Sequence, residues 1–291
     1  MKKCPMIKLN NGNEIPTVGM GTMMLELSGE LQPIIDNAIS CGYRLFDGAA
    51  LYGNEELLGA AYKKNGINRE ELFISSKLKN GRHRYDDAIA ECKKSLKTLG
   101  VEYLDMYLIH YPCPEHDLYA EAWRALETLY KDGLVRNIGL SNFNRPHVER
   151  ILDICEIKPV VDQLECNPYL TIEPLRAYLK ENDIQMEAWF PLGGPPMKKP
   201  GSYDETLNLK GEPVLAELAQ KYGKSVAQII LRWEVQSGMV VIPKAANLEH
   251  MKQNMDIFDF ELEDGDMRRV ESLNMDYHAA PTGDDCNEIW D

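Results

Sequence analysis

The sequence predicts an α/β fold made of one closed (β/α)8 barrel, and three observations carry that expectation. Short β-branched or apolar runs alternate eight times with amphipathic segments along the 291 residues. Such alternation implies parallel pairing with right-handed crossovers. A closed barrel of eight units typically needs about 250 residues. No linker, low-complexity tract or composition shift interrupts the pattern, so 1–291 reads as a single domain. The open, doubly wound alternative would normally place a Gly-rich phosphate loop after its first strand. Gly19-Met20-Gly21-Thr22 is only a fragment of that signal.

The elements follow in order. Residues 7–9 and 14–15 flank Asn11-Gly12 and read as an N-terminal β-hairpin with a type I′ turn, placed at the barrel bottom. The first unit is a strand at 18–23 and a helix near 30–41. The next three pair 44–46 with 54–64, 72–77 with 86–99, and 103–109 with 120–131. Within 86–99, Ile89, Cys92, Leu96 and Leu99 recur at spacings of three and four, and Gly100 is a stop signal. The last four pair 135–140 with 146–155, 160–164 with 172–182, 184–190 with 213–222, and 239–242 with 247–254. Gly223 ends one helix, and Ser225 with Gln228 forms a capping-box pattern that starts another. Residues 193–212, rich in Gly, Pro and Lys, read as a long loop, and the tail 277–291 has no strong pattern.

Composition narrows the function. Hydrophobic residues at 44% and charged residues at 27% describe a globular protein. A net charge of −14 argues against nucleic acid and anionic membranes as partners, since both select a basic face. No apolar run approaches the roughly 18 residues of a membrane span, and no apolar stretch follows the charged start. Seven scattered cysteines without a CxxC fit reduced thiols in the cytoplasm, with no disulfide framework and no metal site.

In a barrel, residues just after the strands line the active-site mouth. Asp47 and Tyr52 follow the second strand, Lys77 ends the third, and His110 ends the fourth. Each alone reads better as a structural ion pair, a rim residue or a core histidine; only the combination points to chemistry. A tyrosine with ordinary pKa near 10 is a poor acid at neutral pH. A neighbouring ammonium should lower that pKa, Asp47 should hold the ammonium, and His110 should donate to a carbonyl. Such a site transfers a proton while hydride is added to a carbonyl.

These residues sit in longer motifs. GYRLFDGAALYGNEELLG (42–59), VRNIGLSNF (135–143) and IPKAANLEHMKQN (242–254), with LIHYP (108–112) and EAWFPLG (187–193), resemble the signatures of the aldo-keto reductase family in order and position. The resemblance implies a barrel enzyme that reduces aldehydes or ketones, or runs the reverse. It uses NADP(H) or NAD(H) and acts on a small-molecule carbonyl or alcohol as a monomer. It implies a tetrad of Asp47, Tyr52, Lys77 and His110, with Tyr52 as general acid. It implies that Ser141, Asn142 and Gln163 hold the nicotinamide carboxamide and that Trp189 stacks on the ring. Gly21, Thr22, Asp47, Phe190, Leu192, Lys244, Ala245, His250, Gln253 and Asn254 also fall at cofactor positions, and Met23, Tyr52, His110 and Tyr111 at substrate positions.

Departures bear on the cofactor. Ala245 stands where the family usually has Ser, and His250 where it usually has Arg. Both losses weaken the grip on an adenosine 2′-phosphate, since His lacks the bidentate fork of Arg and Ala has no hydroxyl. Gly48 replaces a usual Thr, Phe190 a small polar residue, and Met23 a common Trp. Two other functions compete. One is a cofactor-binding redox sensor or scaffold subunit with little turnover; the other is a Schiff-base lyase using Lys77.

Overall fold

A computed structural model of the chain describes residues 4–193 and 208–288. A small antiparallel sheet comes first, with β1 (Met6–Lys8) paired to β2 (Glu14–Pro16). Eight parallel strands follow: β3 (Gly19–Gly21), β4 (Leu45–Asp47), β5 (Phe73–Leu78), β6 (Met106–Ile109), β7 (Ile138–Ser141), β8 (Val161–Glu165), β9 (Gln185–Trp189) and β10 (Val240–Val241). They pair in sequence order from β3 to β10. A parallel bridge between Val18 and Val241, with Val241 N–H donating to Thr17 O at 3.0 Å, brings the last strand against the first. The result is a nearly closed (β/α)8 barrel.

Helices α1 (Leu31–Ser40), α2 (Glu55–Asn65), α3 (Tyr85–Leu99), α4 (Tyr119–Lys131), α5 (Arg145–Ile154) and α6 (Glu173–Glu181) fill the first six crossovers. The seventh holds two, α7 (Pro213–Tyr222) and α8 (Val226–Gln236), and α9 (Leu248–Met255) follows β10. In α3 the buried Ala88, Cys92, Leu96 and Leu99 form one stripe, and Gly100 at φ +68° ends the helix. The capping box at α8 is present: Ser225 Oγ accepts from Gln228 N–H at 3.3 Å, and Gln228 Oε1 accepts from Ser225 N–H at 3.0 Å. One helix escaped the sequence pattern. α10 (Asp264–Glu271) buries only Asp266 and Val270. Asp266 accepts from Lys221 Nζ and from the Tyr222 hydroxyl, each at 2.6 Å, so contacts with α7 rather than periodicity hold it. Residues 194–207 of the expected loop lie outside the described residues.

Successive strand residues alternate between the helix layer and the barrel interior. Leu45, Phe73, Met106, Leu108, Val161 and Val240 fill the lower interior, and Leu9 and Ile15 of the hairpin join that cluster. The hairpin therefore plugs the bottom. Its turn differs from the type I′ expectation. Gly12 N–H donates to Leu9 O at 3.0 Å and Leu9 N–H to Asn13 O at 2.8 Å. Gly12 has φ +90° while Asn11 keeps a negative φ, so Asn10-Asn11 occupy the turn and Gly12 the left-handed bulge position. The longer loop lets Asn10 donate to Pro159 O and Asp183 O, and Asn11 and Asn13 to Asn137 Oδ1, around the bottom rim.

Close packing also explains one glycine at the mouth. A Cβ on Gly21 would lie 2.8 Å from Ile242 O, so β3 and the end of β10 could not approach with any larger residue there. Among the described residues no helix is long and apolar enough to cross a membrane.

The plug yields a stability prediction. Ile15 is fully buried, and buried Ile→Ala changes cost about 2–5 kcal/mol. Ile15→Ala should lower unfolding stability by that amount in urea denaturation while leaving ligand binding at the opposite end intact. A change under about 0.5 kcal/mol would show that the hairpin is not part of the core.

Candidate active site

At the C-terminal ends of the strands the interior turns polar. Asp47 ends β4, Lys77 lies near the end of β5, Gln163 and Glu187 are mid-strand in β8 and β9, and His110 follows β6. Ser141, Gln163 and Glu187 are register partners on three consecutive strands, so they share one level of the barrel. Tyr52 reaches this level from a short 3₁₀ turn, Ala50–Tyr52, which Gly53 ends at φ +69°. All four members of the expected tetrad therefore converge.

Lys77 is buried, and its ammonium has three donors to place. One goes to Asp47 Oδ2 at 2.7 Å, one to Gly48 O at 3.0 Å, and one to the Tyr52 hydroxyl oxygen at 3.3 Å. The other oxygen of Asp47 accepts from Ser75 Oγ at 2.8 Å and Gln163 Nε2 at 2.9 Å. The His110 ring meets the Tyr52 ring edge-on, with centroids 5.9 Å apart.

Electrostatics assign the protonation states. Burial by itself would lower Lys77, but Asp47 and Tyr52 outweigh it and hold the ammonium above the ordinary lysine range. A lysine so held has no free lone pair, which disfavours Schiff-base chemistry. Burial pushes His110 well below the usual histidine range, and Lys77 and His83 push the same way, so the imidazole is neutral. Tyr52 departs from expectation. Lys77 does pull its pKa down, but loss of water around the hydroxyl is the larger effect, Asp47 adds to it, and the net shift is upward. The phenol thus keeps its proton through neutral pH, as an acid must.

The remaining sequence candidates fall into three groups. Around the mouth, Asn142 (φ +61°) donates to His110 O at 2.9 Å and Ser141 Oγ at 3.1 Å, and accepts from Trp189 Nε1 at 3.0 Å. Thr22 donates to Asp47 O at 2.8 Å and supports the strand end. Phe190 stands edge-on to Trp189, Leu192 borders a cavity of about 240 Å³ beside Lys210, and Met23 is half-buried. Tyr111 stacks on His110 and packs against Cys113 and Cys286. Beyond β10, Lys244 and His250 are exposed, Ala245 and Asn254 are buried, and Gln253 is half-buried at 3.4 Å from Glu249.

Two features were not legible in the sequence. Glu187 accepts from Gln163 Nε2 at 2.6 Å and is buried beside Asp47 and Lys77. Its only signal was a charged residue between the apolar Met186 and Ala188. The tail also docks on the site. Glu165 accepts from Ala279 N–H at 2.9 Å and Ala280 N–H at 3.3 Å, and Asp284 accepts from Asn144. A Cβ on Gly283 would lie 1.9 Å from Asn142 O, so that glycine lets the tail rest on the loop after β7. No group of three or more His, Cys, Asp or Glu among the described residues could hold a metal ion, and all seven cysteines are free thiols.

Comparisons with known proteins bear on the family and the fold. A family model described as the aldo/keto reductase family matches residues 17–275. The chain is 45% identical over 279 residues to a glyoxal reductase of Bacillus subtilis, covering 96% of each chain. It is 38% identical over 281 residues to a methylglyoxal reductase of Escherichia coli, again covering 96% of each. Among solved structures it resembles a Bombyx mori aldo-keto reductase in complex with NADP. There the TM-score is 0.86 at 35% identity, covering 98% of this chain and 97% of that one.

The buried ion pair generates the prediction here. Removing one partner of such a pair typically costs about 3–5 kcal/mol, because the other charge is left uncompensated. Lys77→Met should destabilise the fold by that order in chemical denaturation at pH 7. Wild-type stability in this variant would mean that the pair contributes nothing to the barrel interior.

Proposed function

The chain belongs to the aldo/keto reductase family, and on that premise we propose that it reduces small aldehydes, α-oxoaldehydes foremost, to alcohols with Tyr52 as the proton donor. The observation that carries the reading is the unbroken line Asp47–Lys77–Tyr52 beside a neutral His110. The substrate class is taken from the relatives named as glyoxal and methylglyoxal reductases. A soluble, cytoplasmic monomer completes the proposal, in keeping with the seven free thiols.

The residues fit a nicotinamide dinucleotide. Both amide hydrogens of Gln163 point inward to carboxyl groups, so its carbonyl oxygen is left to accept from a carboxamide N–H. Asn142 Oδ1 keeps one lone pair beyond its bond from Trp189. The Trp189 ring is half-buried and offers a face for stacking. When bound, the reduced cofactor supplies hydride to the carbonyl carbon. His110 donates its ring N–H to the carbonyl oxygen and orients it. Tyr52 passes its hydroxyl proton to that oxygen as negative charge develops there. Lys77, already hydrogen-bonded to the Tyr52 oxygen, stabilises the phenolate left behind, and Asp47 keeps the ammonium in place.

Cofactor choice rests on Lys244, Ala245 and His250. We place NADP(H) first and NAD(H) as an accepted second, because Lys244 remains while Ala245 and His250 remove two phosphate contacts. Separate titrations of NADPH and NADH, followed by Trp fluorescence and then by aldehyde turnover, test binding and activity together. Saturable binding without turnover on an aldehyde panel would favour a sensor or scaffold.

Two predictions follow from these roles. Tyr52→Phe should lower the reduction rate by about 10²–10⁴-fold with NADPH affinity nearly unchanged; near-normal kcat would remove Tyr52 from the proton-donor role. His250→Arg with Ala245→Ser should raise NADPH preference more than tenfold, since each charge-assisted hydrogen bond is worth about 1.5–3 kcal/mol. A wild-type protein that already rejects NADH strongly would sink this account of the two residues.

A further inference from the structure

Behind the tetrad stands a second buried carboxylate that the reaction does not use directly. Glu187 lies on β9, level with Gln163 on β8, and faces the barrel interior. The Gln163 Nε2 group donates to Asp47 Oδ1 at 2.9 Å and to Glu187 Oε1 at 2.6 Å, one hydrogen to each carboxyl. Two acceptors facing one amide decide its orientation. Turned over, Gln163 would aim its carbonyl oxygen at the Asp47 carboxylate and lose both amide hydrogen bonds, and an ionised Glu187 would add a second repulsion. The oxygen is therefore kept on the side where the cofactor's carboxamide is proposed to sit.

We propose that Glu187 is a positioning residue of this site, which fixes the amide of Gln163 for the cofactor and sets the charge behind Asp47. The inference rests on the carbonyl-reductase reading for its consequence in turnover, but its geometry stands on the protein alone. The groups facing Glu187 are Asp47 from β4, Lys77 from β5, Tyr52 from the turn after β4, and Gln163 from β8. On the other side, its register partner on β10 is the apolar Val240.

Only one cation, Lys77, stands against two carboxyl groups here. Burial first, and then the charge of Asp47, raise Glu187 to about 8, against the opposing pull of Lys77 and Gln163. Below that pH Glu187 is neutral, and Asp47 and Lys77 balance. Above it the cluster gains a negative charge, which makes Tyr52 harder to ionise. Reduction needs Tyr52 protonated and is not opposed. Alcohol oxidation needs the phenolate as base and is opposed. Glu187 thus biases the site toward reduction as pH rises.

Two variants test this. Glu187→Gln keeps an acceptor of the same size for Gln163 but cannot ionise. Glu187→Leu removes the acceptor. With Tyr ¹³Cζ-labelled apoprotein, the Tyr52 resonance, identified by its loss in Tyr52→Phe, should show a step near pH 8 in the wild type that Glu187→Gln lacks. In fluorescence titrations, Glu187→Leu should weaken NADPH binding at least tenfold, while Glu187→Gln stays within about threefold of wild type. The rising limb of the pH profile for alcohol oxidation should move to lower pH in Glu187→Gln. A step that persists in Glu187→Gln, or wild-type NADPH affinity in Glu187→Leu, overturns the proposal. If Glu187→Leu does not fold, the Glu187→Gln resonance still decides it. A wild-type protein that binds NADPH but reduces no carbonyl would refute the proposed function and leave the resonance and binding results to judge Glu187.

Discussion

Placing Lys77 and Asp47 in the barrel interior removes both charges from water, and their mutual attraction offsets that cost only if every remaining donor and lone pair is used. The structure uses all three donors of Lys77 and three of the four lone-pair sites of Asp47. Lys77 spends its three donors on Asp47, Gly48 O and Tyr52. Asp47 takes Lys77 on one oxygen and Ser75 with Gln163 on the other. The pair therefore dictates what stands on three strands, β4, β5 and β8, and at the turn after β4. It also holds the Tyr52 oxygen, to which the third donor of Lys77 goes.

That constraint spreads upward from the pair. Gln163 is committed to Asp47 and Glu187, and so turns its oxygen outward. Asn142 is committed to His110 O, Ser141 and Trp189, and so fixes the loop after β7 and the indole together. The tail then rests on that loop at Gly283 and is tied to β8 through Glu165. The polar cluster at the strand ends, the loop after β7 and the tail are linked by these hydrogen bonds. A change in one of them propagates because a buried polar group that loses its partner carries its full desolvation cost.

Packing below makes this level rigid. Ile15 and Leu9 close the bottom, and Leu45, Phe73 and Val161 fill the layer above them. The polar level cannot sink into the barrel, nor can water rise to it from below. Protonation states follow from the same exclusion of water. His110 is neutral because burial and the neighbouring Lys77 and His83 all disfavour its charged form, and Tyr52 keeps its proton because burial outweighs the pull of Lys77.

By itself the sequence determined the repeat and the fold, and it marked the four polar residues that meet at the mouth. Alternation eight times over, with Asp47, Tyr52, Lys77 and His110 at strand ends, is local information and survives without coordinates. Capping at Ser225 and the stop at Gly100 are local in the same way. Other features belong to the tertiary structure. The hairpin turn is set by Asn side chains reaching loops more than a hundred residues away. α10 is held by α7 rather than by its own pattern. The upward shift of Tyr52 and the role of Glu187 depend on how much water is lost and on which strands become neighbours. Burial and long-range pairing carry no signal within a short window of residues, so only the folded barrel could decide them.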